Sequence, residues 1–320
     1  MMAAPKPMDN DTGLAATILT CSFRGDYELC EMLCESVDRF VSPQIRHQLY
    51  VPESDIPLFA KFASDRRSIL SQESLLPSGF RKLPLPPRAL YRLLRFSRRN
   101  FYVTPFSLPV RGWIAQQIMK LQAAANAPTE IILHVDSDTA FVRPVAAQSM
   151  IPEPGKVRLY RTPDPTPLDS HKTWHQVAHR LLGLPAPLPA VYHQDYIGDI
   201  IVWRRSVVQR LLRRIDEIGK RDWRITLART PHFSEYILYG TFATNEGLAS
   251  TGHVAMPNSH FHCRWTDPFA TSQDETRFAD SIEHGKIACC LQSTIPMTFA
   301  DRRRVLGLVE AAAARQSQGA

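Results

Sequence analysis

The chain has 320 residues, 44% of them hydrophobic, and a formal net charge of +7. This length allows one large core or two modest ones, and no apolar run is long enough to span a bilayer. The charge favours an anionic partner, such as a nucleotide sugar, a phospholipid or an anionic glycan, but does not choose among them.

The first residues and the cysteines bear on location. Residues 1–13 contain no apolar signal core, so we expect a short disordered lead. The 6 cysteines do not form a disulfide framework in a chain of this length, and we expect reduced thiols. These features predict a cytoplasmic protein, with peripheral attachment to the inner membrane left open.

The first 71 residues alternate predicted strands and helices. Residues 15–23, 47–52 and 68–71 are predicted strands, and helices are expected at Tyr27–Phe40 and 58–63. Such alternation predicts an α/β fold with a mixed, mostly parallel central sheet.

A basic segment interrupts this rhythm. Arginines and apolar residues interleave between Arg88 and Arg99, a pattern that suits an amphipathic helix on an anionic membrane surface. An ordinary solvated basic face explains the same pattern. No nucleic-acid-binding motif accompanies the charge, so nucleic acid is not expected as a partner.

An acidic pair follows the next predicted strand. The apolar run Ile131–Val135 ends in Asp136-Ser137-Asp138, and apolar sequence resumes at Ala140. Carboxylates at the end of a buried strand are costly unless they are neutralised. A divalent cation that also binds phosphate oxygens would neutralise them. The alternative is a turn in which Asp136 caps the next segment.

The segment HVDSDTAFVRP resembles the DxD element of GT-A-type glycosyltransferases, which use nucleotide-sugar donors. The predicted helix at residues 112–125 resembles the helix that precedes this element in a poorly characterised bacterial GT-A-like group. Weaker similarity extends to about residue 265. The resemblance implies a Rossmann-type three-layer sandwich. It also implies Mn²⁺ or Mg²⁺ on Asp136 and Asp138, with Asp136 facing the diphosphate.

The resemblance also implies a donor site built from earlier residues. The end of the first strand would face the base and ribose, which makes Thr20, Ser22 and Asp26 candidates. The helix at residues 112–125 would lend Gln117 and Lys120 to the donor or its diphosphate. Helix capping is the alternative for Asp26, and a surface position is the alternative for Lys120.

Residues 146–314 would form the acceptor and sugar part of the domain, after a nucleotide-binding part at 14–145. A predicted helix at 170–182 carries Trp174 and several histidines, and Trp174 offers a flat apolar face to an acceptor sugar. In the loop before the strand Ile200–Trp203, Asp195 and Asp199 are candidates for hydroxyl recognition. Asp195 is the preferred one, and turn capping is the alternative.

Glu235 is the candidate general base. It begins an apolar, aromatic helix, where burial would raise its pKa and fit it to take a proton from an acceptor hydroxyl. A first-turn carboxylate that interacts with the helix dipole is the alternative.

The last informative segment contains His260, His262 and Arg264. Many GT-A enzymes complete the metal shell with a C-terminal histidine, so either histidine could join Asp138, while Arg264 could contact the diphosphate. Residues 267–278 read as a loop, residues 301–314 as a terminal helix and residues 315–320 as a disordered tail.

Together these features predict a metal-dependent, hexosyltransferase-like enzyme. It would move a sugar from a nucleotide-sugar donor, with a UDP-sugar expected, to a glycan or lipid-linked acceptor in surface polysaccharide synthesis. The alternatives are a non-catalytic sugar-nucleotide-binding protein and a metal-dependent nucleotidyltransferase or phosphohydrolase. The latter enzymes commonly need more carboxylates around the metal.

Overall fold

The computed structural model describes residues 15–83, 101–198 and 200–318. The predicted lead, the basic segment Arg88–Arg99 and Asp199 lie outside the described residues, so the expectations for them stay predictions.

The strands are β1 (Ala16–Cys21), β2 (Arg46–Val51), β3 (Arg67–Ser71), β4 (Arg81–Lys82), β5 (Phe101–Thr104), β6 (Ser107–Arg111), β7 (Ile131–Val135), β8 (Thr139–Phe141), β9 (Val157–Tyr160), β10 (Thr162–Pro163), β11 (Gln194–Asp195), β12 (Ile200–Arg204), β13 (His253–Met256), β14 (Phe261–Arg264) and β15 (Ala288–Leu291). The helices are α1 (Tyr27–Phe40), α2 (Ile56–Phe59), α3 (Gly112–Asn126), α4 (Asp169–Leu182), α5 (Arg205–Gly219), α6 (Trp223–Ala228), α7 (Glu235–Asn245), α8 (Leu248–Thr251), α9 (Ser272–Asp280) and α10 (Phe299–Gln318). Short 3₁₀ helices lie at Arg24–Asp26, Glu53–Asp55, Ala60–Phe62, Glu73–Leu75, Ala147–Met150 and Pro189–His193.

The central sheet has the strand order β12-β7-β1-β2-β3. Its strands run parallel except for β12, which pairs with β7 in the antiparallel sense. The predicted α/β fold with a mixed, mostly parallel sheet is therefore confirmed.

Helices cover both faces of this sheet because its strands are apolar on both sides. On one face, Ile18 and Leu133 share a core with Leu33 of α1. On the other face, Leu19 and Ile132 belong to a larger core that includes residues of α3, α4, α5 and α7. The result is three layers around buried parallel strands, as expected for such a sheet.

A second sheet adjoins the acidic segment. β8 pairs with β15, which pairs with β14. Asp136, Ser137 and Asp138 therefore connect β7 of the central sheet to β8 of the second sheet. The short turn places both acids where the two sheets meet.

Two differences from the sequence expectation lie in the C-terminal part of the chain. Residues 267–278 are not all loop, because α9 begins at Ser272 behind a capping box formed by Thr271 and Asp274. The terminal helix α10 begins at Phe299 and continues to Gln318, through part of the expected tail.

Two further expectations from the sequence concern disulfides and membrane-spanning helices. All 6 cysteines lie in the described part of the chain, and none of them forms a disulfide there. Among the described residues, no helix combines the length and apolar character needed to cross a membrane.

Candidate active site

A crevice opens where the strand order of the central sheet reverses direction. From β1 the chain moves to β2 and β3 on one side, and it later returns to β7 on the other side. The carboxyl ends of β1 and β7 thus lie next to each other at a switch point, the usual place for ligands in open α/β sheets.

A cleft of about 520 Å³ lies at this end of the sheet. The ends of β1, β2 and β3 form one wall, and the start of α3 forms another. The lining residues are Cys21, Ser22, Phe23, Asp26, Pro52, Gln72, Lys82, Tyr102, Arg111, Gly112, Trp113, Gln116 and Met119. Gln72 fixes the strand ends, because its Nε2 donates to the carbonyl oxygens of Ser22 at 2.8 Å and Tyr50 at 3.1 Å.

Three carboxylates interact at the mouth of this crevice. Burial, and then the charges of Asp138 and Asp136, raise the pKa of Asp26 to about 6. Burial and the charge of Asp136 also raise the pKa of Asp138. Asp26 makes no side-chain capping hydrogen bond to α1, so capping does not explain its position. We call Asp26, Asp136 and Asp138 the acidic cluster.

Lys120 of α3 is buried beside the acidic cluster. Its Nζ lies 3.0 Å from Oδ1 of Asp136 and 3.5 Å from Oε1 of Glu235, and it donates to the Tyr236 hydroxyl at 2.9 Å. Burial alone would lower the pKa of Lys120, but Asp136, Tyr236 and Glu235 raise it well above its ordinary value. Lys120 is therefore a buried cation and not a surface lysine.

Glu235, which is one of the partners of Lys120, is the first residue of α7. Ser234 caps the helix by accepting from the Ile237 N–H, and the Glu235 N–H donates to Oε1 of Gln117 at 2.9 Å. The side chain is only 7% exposed. Burial raises the pKa of Glu235, while the charge of Lys120 lowers it. Glu235 thus has the environment expected of a proton acceptor.

Asp138 is held from the C-terminal part of the chain. Its Oδ2 accepts from the Ser293 N–H at 2.8 Å. Arg302 of α10 is 4% exposed and donates to the carbonyl oxygens of Leu291, Gln292 and Ile295, which flank Ser293. Arg302 is not among the residues predicted from the sequence, although Val305, Leu306 and Val309 mark the buried face of the same helix.

The structure does not bring every predicted donor residue to the cleft. Thr20 is buried within the sheet, where its hydroxyl donates to the Val135 carbonyl oxygen at 2.8 Å and lies 3.1 Å from His47 Nε2. Gln117 is also buried and contacts the backbone of Glu235, whereas Gln116 lines the cleft. Arg264 donates to the Asp267 carbonyl oxygen at 2.8 Å and fixes its own loop.

The two histidines predicted as metal ligands have other partners. His260 contacts the Arg158 guanidinium, and burial together with that charge lowers its pKa to about 4. The Nε2 of His262 lies 2.8 Å from the Phe278 carbonyl oxygen, and the ring stacks on Phe278. His262 in β14 and His260 just before it thus contact protein groups in this structure.

Asp195 lies in a different environment from Glu235. It ends β11, and its Oδ1 accepts from the Ile197 N–H at 3.0 Å. Burial raises the pKa of Asp195, with opposing effects from His171 and Asp164. The two residues predicted as catalytic are therefore not part of one hydrogen-bonded network.

The acidic cluster fits a metal whose shell is completed by substrate. Within the described ranges, no group of three or more His, Cys, Asp or Glu side chains has the geometry to hold a metal ion on its own. Mg²⁺, however, usually binds one or two carboxylates together with phosphate oxygens and water. Repulsion among Asp26, Asp136 and Asp138 is what a divalent cation would relieve.

Comparison with known proteins adds a family but no activity. A family model described as "Family of unknown function (DUF6492)" matches residues 13–307. The match includes the cleft, the acidic cluster, Lys120 and Glu235. No curated protein matches the chain.

Proposed function

The chain belongs to the DUF6492 family, and we propose that it is a metal-dependent glycosyltransferase with a GT-A-type fold. It would transfer a sugar from a nucleotide-sugar donor, with UDP as the expected nucleotide, to a glycan or lipid-linked acceptor. The observation that carries this proposal is the acidic cluster at the switch point of a mostly parallel sheet. Carboxylates at such a crevice suit a metal-bound phosphate ester.

The cleft has the chemistry to hold a nucleoside diphosphate. Ser22 and Asp26 offer hydrogen-bonding groups, and Tyr102 and Trp113 offer aromatic surface to a base. Arg111 lies in the same wall, where a guanidinium can contact phosphate oxygens. The cleft thus combines polar, aromatic and cationic groups, as a nucleotide site requires.

Asp136 and Asp138, with Asp26 beside them, would hold Mn²⁺ or Mg²⁺. When bound, the metal would supply positive charge to offset the negative charge that develops on the departing nucleoside diphosphate. His260 and His262 have no part in this proposal, because both rings contact other groups.

The buried residues next to the cluster would handle the acceptor proton. As an acceptor hydroxyl bonds to the anomeric carbon, the bond to the nucleoside diphosphate breaks, and Glu235 would take the hydroxyl proton if the configuration inverts. Lys120 keeps a cation within 3.5 Å of that carboxylate, which favours its ionised form despite burial. In a retaining reaction, Glu235 would only position the substrate.

A second candidate function is supported by Asp26. Asp26 interacts electrostatically with Asp138 and Asp136 and is the third acid of the cluster. Enzymes that transfer or hydrolyse phosphoryl groups commonly use more than two acids around the metal. Product analysis separates the two candidates. A nucleoside diphosphate indicates sugar transfer, whereas pyrophosphate or a nucleoside monophosphate indicates chemistry at phosphorus.

The test of the proposed function is a calorimetric titration of UDP and GDP, each with and without Mn²⁺. We expect Mn²⁺-dependent binding of one nucleotide to the wild type and its loss in Asp138→Asn. Asp65→Asn is the matched control, because it makes the same change at an exposed site. Absence of binding to either nucleotide under both conditions, in a folded protein, would overturn the proposal.

A further inference from the structure

An aromatic surface extends from the cleft along α4. Trp113, in the first turn of α3, lines the cleft and is 46% exposed. Its ring centroid lies 5.5 Å from that of Trp174, at an interplanar angle of 36°. Trp174 in turn stacks on His171, with centroids 4.9 Å apart. We call these three rings the aromatic platform.

Two carboxylates lie beside the far end of the aromatic platform. Oδ2 of Asp164 is 3.9 Å from Nδ1 of His171. Asp195 is close enough for the charges of His171 and Asp164 to affect its pKa. The two acids lie at the antiparallel pair of β10 and β11, next to which the Asp164 N–H donates to the His193 carbonyl oxygen at 2.9 Å. The aromatic platform therefore leads from the cleft to a pair of hydrogen-bond acceptors.

Buried contacts hold this arrangement in place. His175, one turn after His171 on α4, lies 2.8 Å from the carbonyl oxygen of Gln194 through its Nε2. The Tyr196 hydroxyl donates to Oε1 of Gln194 at 2.9 Å, and its ring packs directly against Gly240 of α7. Side chains supported in this way keep the geometry that recognition needs.

The chemistry of this surface suits a sugar ring. Scattered exposed aromatic residues are ordinary on a protein surface. Here, however, the exposed ring of Trp113 lines the cleft and adjoins the partly buried ring of Trp174, which stacks on His171. A pyranose has an apolar C–H face that packs on an aromatic ring and hydroxyl groups at its edge that donate to carboxylates. Two carboxylates at the edge disfavour an anionic sugar, since like charges repel.

We propose that the aromatic platform, with Asp164 and Asp195, is the acceptor subsite and binds a neutral or amino sugar ring. This inference rests on the proposed function, because it assigns the donor to the adjoining cleft. It gives Asp195 the task of binding a hydroxyl group and leaves proton abstraction to Glu235.

The test is saturation-transfer difference NMR with methyl glycosides of glucose, galactose, mannose, N-acetylglucosamine and glucuronic acid. We expect contacts from the ring C–H protons of at least one neutral or amino sugar and none from the glucuronide. Trp174→Ala should lower the affinity for the sugar by about tenfold or more, and Trp174→Phe should retain most of the affinity. Phe40→Ala, which removes a partly buried aromatic ring from the core on the opposite face of the central sheet, should bind like the wild type.

Two results would overturn the subsite: no signal from any of these sugars, or equal signals in the wild type and Trp174→Ala. Titration of UDP and GDP with Mn²⁺ on the same samples distinguishes this failure from failure of the proposed function. Nucleotide binding without sugar binding removes the subsite alone. Sugar binding on the aromatic platform without nucleotide binding keeps the sugar site but removes the transfer reaction and the acceptor assignment.

Discussion

The ammonium group of Lys120 lies 3.0 Å from Asp136, so the first acid of the DSD segment already has a buried cationic partner. The second acid, Asp138, accepts from a backbone N–H and has a raised pKa. The two acids are therefore not equivalent, although the sequence presents them as a symmetric pair. Lys120, which lies beside Asp136, would repel a cation that enters the cluster.

Replacing Lys120 with Met should destabilise the protein. Glu235 would lose its cation while it remains buried, and loss of one partner of a buried pair costs about 3 to 5 kcal/mol. Because burial raises the pKa of Glu235 in the folded state, this loss should be small near pH 4 and should grow as the pH rises through the folded-state pKa. Urea denaturation at pH 5 and pH 8 measures it.

The double variant Lys120→Met/Glu235→Gln should recover much of the stability at pH 8, since no buried charge is left unpaired. Lys61→Met removes an exposed lysine that pairs with Glu31, and its free energy of unfolding should stay close to that of the wild type at both pH values. A loss in Lys120→Met that does not depend on pH would contradict the electrostatic explanation.

Gly240→Ala should destabilise the fold by about 1 to 3 kcal/mol, because the added methyl group would collide with the Tyr196 ring. Gly307→Ala is a helical control with open space around its Cβ. It should stabilise the protein by about 0.5 to 1 kcal/mol through the better helix propensity of alanine. Thermal or urea denaturation measures both. Equal effects of the two substitutions would show that the Tyr196 contact is not tight.

Acid should destabilise the protein through His253. This histidine is buried between the Tyr239 hydroxyl at 3.0 Å and the Thr251 hydroxyl at 3.1 Å, and burial lowers its pKa to about 4. A lowered folded-state pKa contributes stability above the unfolded value of about 6.5. That stability is lost as the pH falls from 6.5 towards 4, by about 1.4 kcal/mol per pH unit for one proton.

His253→Gln should reduce the slope of the unfolding free energy against pH by about 1.4 kcal/mol per pH unit between pH 6.5 and pH 4. The same substitution at the exposed His284 should leave the slope at its wild-type value. Denaturant titrations at pH 7, 6 and 5 provide the comparison, and an unchanged slope in His253→Gln would remove His253 from the explanation.

The sequence pattern of the basic segment Arg88–Arg99 suits binding to an anionic membrane surface. Replacing Arg92, Arg95, Arg98 and Arg99 with Gln should reduce binding to anionic liposomes if this segment contacts a membrane surface, and added salt should reduce wild-type binding. The control replaces four basic residues elsewhere that the structure leaves exposed, namely Arg46, Arg213, Lys220 and Arg221. Cosedimentation measures both variants, and equal losses would indicate net charge and not a specific contact.

Local patterns predicted much of the central sheet and its helices. Alternation and apolar spacing gave α1 with the bounds Tyr27–Phe40, and the run Ile131–Val135 proved to be β7. Thr20 lies within the predicted strand, but the sequence does not show that its hydroxyl contacts the neighbouring strands β7 and β2, which keep it inside the sheet. One missed element carried a local signal, the capping box of Thr271 and Asp274.

The surroundings of the predicted site residues depend on long-range pairing. The partners of His260 and His262 depend on how β14 and its neighbours pack, and no spacing within the segment specifies them. The burial of Lys120 depends on α7, which follows more than a hundred residues later. A single sequence supplies the residue types of this site, but their neighbours are set by tertiary packing.

The position of Asp138 depends on α10, the last helix of the chain, through Arg302 and Ser293. Arg302 fixes the carbonyl oxygens around Ser293, and Ser293 holds Asp138 across a separation of 155 residues. Asp138 lies in the turn between β7 of the central sheet and β8 of the second sheet, whereas Arg302 lies in α10. Fraying of α10 would break the hydrogen bonds from Arg302 and loosen the backbone around Ser293, although the residues that line the cleft belong to other parts of the chain. Heat or a truncation that loosens this helix should therefore impair the acidic cluster before the central sheet melts.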